Sequence, residues 1–259
     1  MIPKKIHYCW FGRNPKPKLA EKCIRSWKRY CPDYEIIEWN EDNYDLSSAP
    51  LYVSQAYEAK KWAFVSDYVR LDVVYQHGGI YLDTDVEVIQ KLNSFLRDSV
   101  YFGFEDEQNV NTGVGFGAEK GSPILLEMME EYNGLSFFLS DGNYDRTACP
   151  IRNTAVLVKH GLKQDGSEQY LDNSIHIYSP DYFCPLDFSG IQNKRTSNTI
   201  SIHWYCASWF YENKEQEKEL NKRKRSMRID YFLHAPNRLA IRLLGLENYE
   251  KLKTILKNR

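Results

Sequence analysis

Two short apolar runs flanking a helical-period segment constrain this chain more than any other feature. Residues 4–10 read as a strand, bounded by Pro3 and by the loop Gly12-Arg13-Asn14-Pro15-Lys16-Pro17. Residues 17–30 carry Leu19, Cys23, Ile24 and Trp27 at helical spacing. Residues 34–39 read as a second strand, with Asn40-Glu41-Asp42-Asn43 as the turn after it. A strand, a helix and a strand this close together form a βαβ unit. Such units favour parallel pairing and a right-handed crossover.

The 259 residues suffice for one α/β domain with a sizeable core and are few for two full domains. A long helix is expected over residues 54–77. It places Ala63, Asp67, Arg70 and Val74 on one face and stops at Gly78-Gly79 in a left-handed conformation. Residues 80–89 read as one strand, 101–104 and 114–118 as shorter ones, and 200–205 as a late one. Helices are expected over residues 123–132 and 153–160, and the chain from 213 onward reads as helical and basic. No internal repeat or low-complexity linker marks a clean boundary.

The strongest local signal is Gly78-Gly79-Ile80-Tyr81-Leu82-Asp83-Thr84-Asp85-Val86. On a continuous strand, residues two apart point the same way, so Tyr81, Asp83 and Asp85 would share one side. Two neighbouring carboxylates repel and lose hydration unless a cation or several donors compensate. Carboxylate oxygens suit Mg²⁺ or Mn²⁺. A bare Asp-x-Asp equally suits an exposed turn. The helix stop and the apolar strand place this pair at a strand's carboxyl end, where open α/β sheets bind ligands.

Three further groups carry chemistry. Asp67 and Arg70 are neighbours on a helix surface. The plain reading is a surface ion pair worth under about 1 kcal/mol, but the helix around them is apolar on several sides, and a buried charge pair needs a polar cleft. His203 could complete a metal site begun by Asp85, or serve as a satisfied structural histidine. Ser208 and Trp209 bring an O–H and an N–H donor suited to phosphate oxygens. Trp10, at the end of the first strand, suits core packing or the stacking of a nucleobase.

In this order the segments resemble glycosyltransferase family 32, the transferases with a DXD sugar-binding region. That family is related to the yeast initiating α-mannosyltransferase and, more distantly, to the glucosylating domain of large clostridial toxins. The resemblance lies in Ile2-Pro3-Lys4-Lys5-Ile6-His7-Tyr8-Cys9-Trp10-Phe11-Gly12, in Ala63-x-x-Ser66-Asp67-x-x-Arg70, in Gly78 through Val86, and again at His203 and Ser208-Trp209. It is thinner between Lys120 and Thr199. It implies a GT-A fold, a Rossmann-like mixed sheet flanked by helices. It also implies transfer of a hexose from a nucleotide sugar, a UDP-hexose first, with retention of anomeric configuration and with Mn²⁺ or Mg²⁺. By position, Trp10 would stack on the base, while Asp67 and Arg70 would hold donor sugar hydroxyls. Asp83 would contact ribose and sugar, and Asp85 and His203 would bind the metal. Ser208 and Trp209 would hold the diphosphate. Asn111, Thr112 and Gly113 would fall near the acceptor side of the reacting carbon. The matching division is a catalytic domain over residues 1–212, with a donor half (1–118) and an acceptor half (119–212), followed by a helical basic segment, 213–259.

The basic segment contains Lys222-Arg223-Lys224-Arg225, and residues 236–257 space leucines and isoleucines among further basic residues. A helix packed on the domain, or one lying on anionic lipid, would each explain that pattern. The net charge of −1 and the lack of a reader motif argue against nucleic acid. Six cysteines without a C-x-x-C pair, no signal-peptide core and no apolar stretch of membrane-spanning length suggest a reduced, cytoplasmic chain. The expected place is the inner face of the plasma membrane, and the expected acceptor a glycan or lipid-linked glycan in surface polysaccharide synthesis. A metal-dependent nucleotide-sugar or phosphoryl hydrolase and a non-catalytic nucleotide-sugar binding module are the rival readings.

Overall fold

The structure is a computed structural model, and it describes residues 1–189, 193–206 and 214–233. Ser208, Trp209 and residues 236–259 lie outside the described residues. The elements run β1 (Lys5–Cys9), α1 (Lys18–Tyr30), β2 (Glu35–Trp39), α2 (Leu51–Glu58), α3 (Trp62–His77), β3 (Gly79–Tyr81), β4 (Val86–Val88), β5 (Val100–Gly103) and β6 (Phe116–Ala118). They continue as α4 (Pro123–Glu130), α5 (Cys149–Lys159), β7 (Gln169–Leu171), β8 (Ile175–Tyr178), α6 (Pro180–Phe183), β9 (Ser201–His203) and α7 (Lys214–Leu233). The chain divides into two compact units. One is Met1–Asp187 with Asn193–Phe210, and the other is Phe188–Gln192 with Tyr211–Arg259.

The first unit is α/β and holds a mixed seven-stranded sheet in the order β2-β1-β3-β6-β5-β8-β7. The βαβ unit read from the N-terminal pattern is present, with β1 and β2 parallel from Lys5↔Glu35 to Cys9↔Trp39. β3 joins the other edge of β1 in parallel, and β6 then pairs antiparallel with both β3 and β5. The carboxyl ends of β1 and β3 and the entry to β6 therefore meet at one edge of the sheet. Pleat alternation divides the apolar side chains between two cores: Tyr81 enters one with α3, while Ile80 and Leu82 enter the other with Trp27 of α1. Trp27 is fully buried, and its indole N–H donates to the Val86 carbonyl at 2.8 Å. Burial of so large a ring is worth roughly 3 kcal/mol, so α1 anchors the chain immediately after the aspartates.

Two expected element boundaries are corrected. The helix expected over residues 54–77 is two helices. Lys60 adopts φ 56°, and the Lys61 N–H closes back on the Ala56 carbonyl at 2.9 Å, which terminates α2 before α3 begins. This is a Schellman-type stop built without glycine. The strand expected over residues 80–89 is broken as well. β3 ends at Tyr81 and β4 begins at Val86, with a turn between them closed by the Val86 N–H on the Asp83 carbonyl (3.0 Å). β4 leaves the main sheet and pairs antiparallel with β9. Strand phase therefore does not align Asp83 with Asp85.

The expected glycine stop is there, in a different conformation. Gly78 has φ 63° and ψ 169°, a region that only glycine occupies readily, rather than the left-handed helical one. A Cβ at Gly79 (φ 123°) would come within 2.7 Å of His7 Nε2. This pair of glycines lets the chain turn directly from α3 into β3 beside β1.

Candidate functional site

Asp67 and Arg70 project from α3, whose faces are largely buried. They do not form a surface ion pair: Arg70 is 3% exposed and Asp67 8%. Arg70 Nη2 lies 3.0 Å from Asp67 Oδ1 and 3.2 Å from Asp83 Oδ1, so one guanidinium joins α3 to the loop after β3. The guanidinium is further held by Nε, which donates to the Ser66 carbonyl at 3.1 Å, and by the Tyr81 ring beneath it, centroid 5.1 Å away. Its Nη1 donates to Cys149 Sγ at 3.3 Å. Asp83 also accepts the Tyr81 hydroxyl at 3.0 Å.

Asp85 faces other partners. Its Oδ2 accepts the Cys206 N–H at 2.7 Å, and its Oδ1 lies 3.4 Å from His203 Nε2. The β4–β9 register opposes Val86 to His203, which brings the histidine beside Asp85, and the Trp204 N–H on the Asp85 carbonyl (3.0 Å) continues the pairing. The other His203 nitrogen lies 3.9 Å from Cys184 Sγ, and Cys184 contacts the Tyr205 hydroxyl at 3.0 Å.

These surroundings separate the two carboxyls electrostatically. Burial and repulsion from Asp85 push Asp83 up, against the pull of Arg70. Burial would raise Asp85 as well, but the His203 charge and the hydrogen bonds from His203 and Cys206 hold it below the ordinary carboxylate range. Burial opposes charge on His203, yet Asp85 keeps its imidazole protonated well above the usual value. Asp67 rises to about 6 because it is buried and faces Asp83, with Arg70 opposing the shift.

The Asn111-Thr112-Gly113 segment forms the opposite wall. The Asp83 N–H donates to the Gly113 carbonyl at 3.1 Å, and the Gly113 N–H donates to Asn111 Oδ1 at 2.6 Å. A Cβ on Gly113 would overlap Asp83 Oδ2 and lie 3.1 Å from Arg70 Nη1. Only a residue without a side chain fits there. α5 backs this loop: Asn153 Nδ2 donates to Thr112 Oγ1 at 2.8 Å, and the Val110 N–H donates to Thr154 Oγ1 at 2.9 Å.

Trp10 lies at the same sheet edge, half-buried. Its indole N–H donates to the Asn14 carbonyl at 2.7 Å, and Lys16 Nζ sits 5.6 Å from its ring centroid. The structure thus brings Asp67, Arg70, Asp83 and Gly113 into one network and pairs Asp85 with His203. Sequence reasoning missed Cys149, Asn153, Cys184 and Tyr205. None stands in a recognisable spacing with the aspartates. The Tyr81 hydroxyl was foreseeable from its position two residues before Asp83.

Among the described residues no three His, Cys, Asp or Glu side chains gather as a metal cage. The Asp85–His203 pair still fits a hard divalent cation. Mg²⁺ and Mn²⁺ are commonly bound by one or two protein ligands, with water and substrate phosphate completing the shell. Here the Asp85 carboxylate and His203 Nε2 lie 3.4 Å apart, and a cation bound to both would displace the imidazolium proton.

Residues 17–102 match the family described as glycosyltransferase sugar-binding region containing DXD motif. Residues 17–102 are thus similar to the DXD region of family-32 glycosyltransferases. That region contains α1, α3 and the Asp83–Asp85 turn. Inositol phosphoceramide mannosyltransferase 3 of Schizosaccharomyces pombe is 28% identical over 140 residues, which are 52% of this chain and 38% of that protein. Subversion of eukaryotic traffic protein A of Legionella pneumophila is 27% identical over 111 residues, 33% of this chain and 17% of that one. This chain therefore spans well under half the length of the curated relatives it matches. A solved glycosyltransferase involved in glycosylation of the major capsid of PBCV-1 superposes with a TM-score of 0.48 at 12% identity, covering 85% of this chain and 100% of that one. The mixed seven-stranded sheet with flanking helices is the α/β architecture expected of a GT-A-type glycosyltransferase.

Proposed function

We propose that the chain is a retaining, divalent-metal-dependent glycosyltransferase that moves a hexose from a nucleotide sugar to a glycan or lipid-linked glycan. The observation that carries this reading is the division of labour in the aspartate turn. Asp83 is locked to Arg70 and Tyr81, while Asp85 is paired with His203 and held ionised. Two carboxylates in such different surroundings suit two tasks. Asp83, with Asp67 and Arg70, offers fixed acceptors and donors for ribose and sugar hydroxyls. Asp85 and His203 would hold Mn²⁺ or Mg²⁺, which when bound neutralises charge developing on the diphosphate. Trp10 is the stacking surface for the base, with a UDP-sugar as the first candidate, and Ser208 and Trp209 are further diphosphate donors.

As the bond from C1 to the diphosphate oxygen breaks, the acceptor oxygen bonds to C1 on the same face, and its proton passes to the departing phosphate oxygen. The chain's part is to fix the sugar against Arg70 and Asp83 and to keep the leaving group in place. Trapping a sugar covalently attached to the enzyme would overturn this front-face route.

The name of the yeast mannosyltransferase relative adds GDP-mannose to the donors worth testing. The deciding experiment is thermal denaturation with UDP- and GDP-hexoses, with and without Mn²⁺. A donor at about a hundred times its Kd stabilises the fold by about 2.7 kcal/mol. We expect a shift that needs both donor and metal, and no metal-dependent shift with any donor would sink the reading. We also place the enzyme at the cytoplasmic face of the membrane, in surface polysaccharide synthesis. The exposed Lys222, Arg223 and Arg225 on α7 support an anionic-surface contact.

A further inference from the structure

Glu105 is a carboxylate that neither the aspartate turn nor the family match includes, yet it stands at the same sheet edge. β5 ends at Gly103 and pairs with β6, whose entry carries Asn111 and Gly113. The chain reverses tightly after β5. Phe104 bridges Val110, and the Glu105 N–H donates to the Asn109 carbonyl at 2.8 Å. The Asp106 carboxylate accepts the N–H groups of Gln108 and Asn109 at 2.8 and 2.7 Å, so the reversal is rigid. Glu105 is half-buried at its base. Its Oε2 accepts Asn111 Nδ2 at 3.1 Å, and Asn111 Oδ1 in turn accepts the Gly113 N–H that backs Asp83. Glu105 also hydrogen-bonds with Tyr205, whose ring centroid lies 4.2 Å from that of His203. One carboxylate thus links the Asp83 half of the site to the His203 half.

A front-face reaction sets a geometric demand. The acceptor hydroxyl must approach C1 beside the departing diphosphate, between the sugar held at Asp83 and the cation pocket at Asp85 and His203. Glu105 is joined to the first through Asn111 and Gly113 and to the second through Tyr205. A carboxylate oriented by an amide, in a partly water-excluded position, is a strong acceptor for a hydroxyl O–H. A hydroxyl-rich sugar matches that chemistry, and an anionic group does not.

We infer that Glu105 is an acceptor-binding residue, oriented by Asn111, which receives a hydroxyl hydrogen of the incoming sugar beside the reacting carbon. The inference rests on the transferase reading and goes beyond it by naming the acceptor subsite.

The test is Glu105→Gln, which keeps an oxygen for the Asn111 amide while removing the charge, with Glu105→Asp as the conservative companion. Thermal denaturation of each verifies folding. The donor is the nucleotide hexose that stabilises the wild type, and the acceptors are a panel of p-nitrophenyl hexosides. Donor hydrolysis, with water as acceptor, is measured in parallel with transfer. Loss of a charge-assisted hydrogen bond is worth about tenfold or more. We expect the ratio of transfer to hydrolysis to fall about tenfold in Glu105→Gln through a raised acceptor KM, with unchanged donor KM and partial recovery in Glu105→Asp. Parallel loss of hydrolysis and transfer in a donor-binding, folded variant overturns this inference alone. So does an unchanged ratio, or a glycosyl adduct trapped on Glu105. A wild type that binds no donor, or that hydrolyses it without transfer to any hydroxyl, overturns the transferase reading and this inference with it.

Discussion

At the scale of single residues, the site depends on Arg70 touching two carboxylates at once. Nη2 makes both contacts while Nε and Nη1 are held by Ser66 and Cys149, an arrangement that the single nitrogen of lysine cannot reproduce. The closest packing in the network is at Gly113, whose α-carbon leaves no room for a methyl group beside Asp83 and Arg70. Gly113→Ala must push the Asp83 carboxylate away from Tyr81 and Arg70. A displacement near 1 Å at a positioning group costs about a hundredfold in rate. We expect kcat/KM to fall by about that factor, read by steady-state kinetics. Wild-type kinetics in the Gly113→Ala variant would show that Asp83 needs no fixed position. Asp67 and Arg70 were legible in the sequence because they share one helix face. Their burial was partly legible too, from the apolar residues around them. Cys149 was not, since no spacing rule connects α5 to α3.

At the scale of elements, His7 staples three of them. Trp39 Nε1 of β2 donates to His7 Nδ1 at 3.0 Å, which leaves Nε2 protonated and donating to the Gly78 carbonyl at 2.8 Å, at the end of α3. Burial, with the neighbouring His77 and Lys5 charges, depresses its pKa from 6.5 to about 4, against the Gly78 hydrogen bond. The sign follows from proton counting. Above pH 6.5 His7 is neutral in both folded and unfolded chains and contributes no slope. As pH falls from 6.5 to about 4 the unfolded chain takes up a proton that the folded one refuses, so stability declines. The loss over that window amounts to about 3 kcal/mol. Denaturant unfolding across this range should show the decline, and His7→Asn should flatten it. An unaltered slope in the variant would assign the decline to other groups. The N-terminal βαβ unit was readable because its periodicities are local. The break between α2 and α3 was not, because Lys60 takes a positive φ that sequence patterns assign to glycine.

At the scale of the whole molecule, the two units make separate demands. On the proposed reading the first binds a nucleotide sugar and a cation. In the second, α7 carries Lys222, Arg223 and Arg225 exposed. Each basic residue near an anionic bilayer adds about 1 kcal/mol of attraction. Replacing all three by glutamine should lower partitioning onto phosphatidylserine vesicles about a hundredfold and leave neutral vesicles unaffected. Sedimentation with such vesicles measures this, and equal binding by wild type and variant would remove the membrane contact from the reading.

The chain's own pattern determined the βαβ half, the pairing of Asp67 with Arg70, and the position of the Asp83–Asp85 turn at a strand's end. Each of these depends on contacts between residues a few positions apart, which helix and strand periodicity encode directly. The tertiary structure decided the rest. The two aspartates were expected to align by strand phase, and instead a turn sends them to different partners. His203 reaches Asp85 because β4 leaves the main sheet and pairs with β9 in one register. Glu105 reaches the site because β5 and β6 are sheet neighbours. Strand order and register are set by the summed burial of both cores. No local pattern in the chain carries that sum, so these contacts became visible only in the fold.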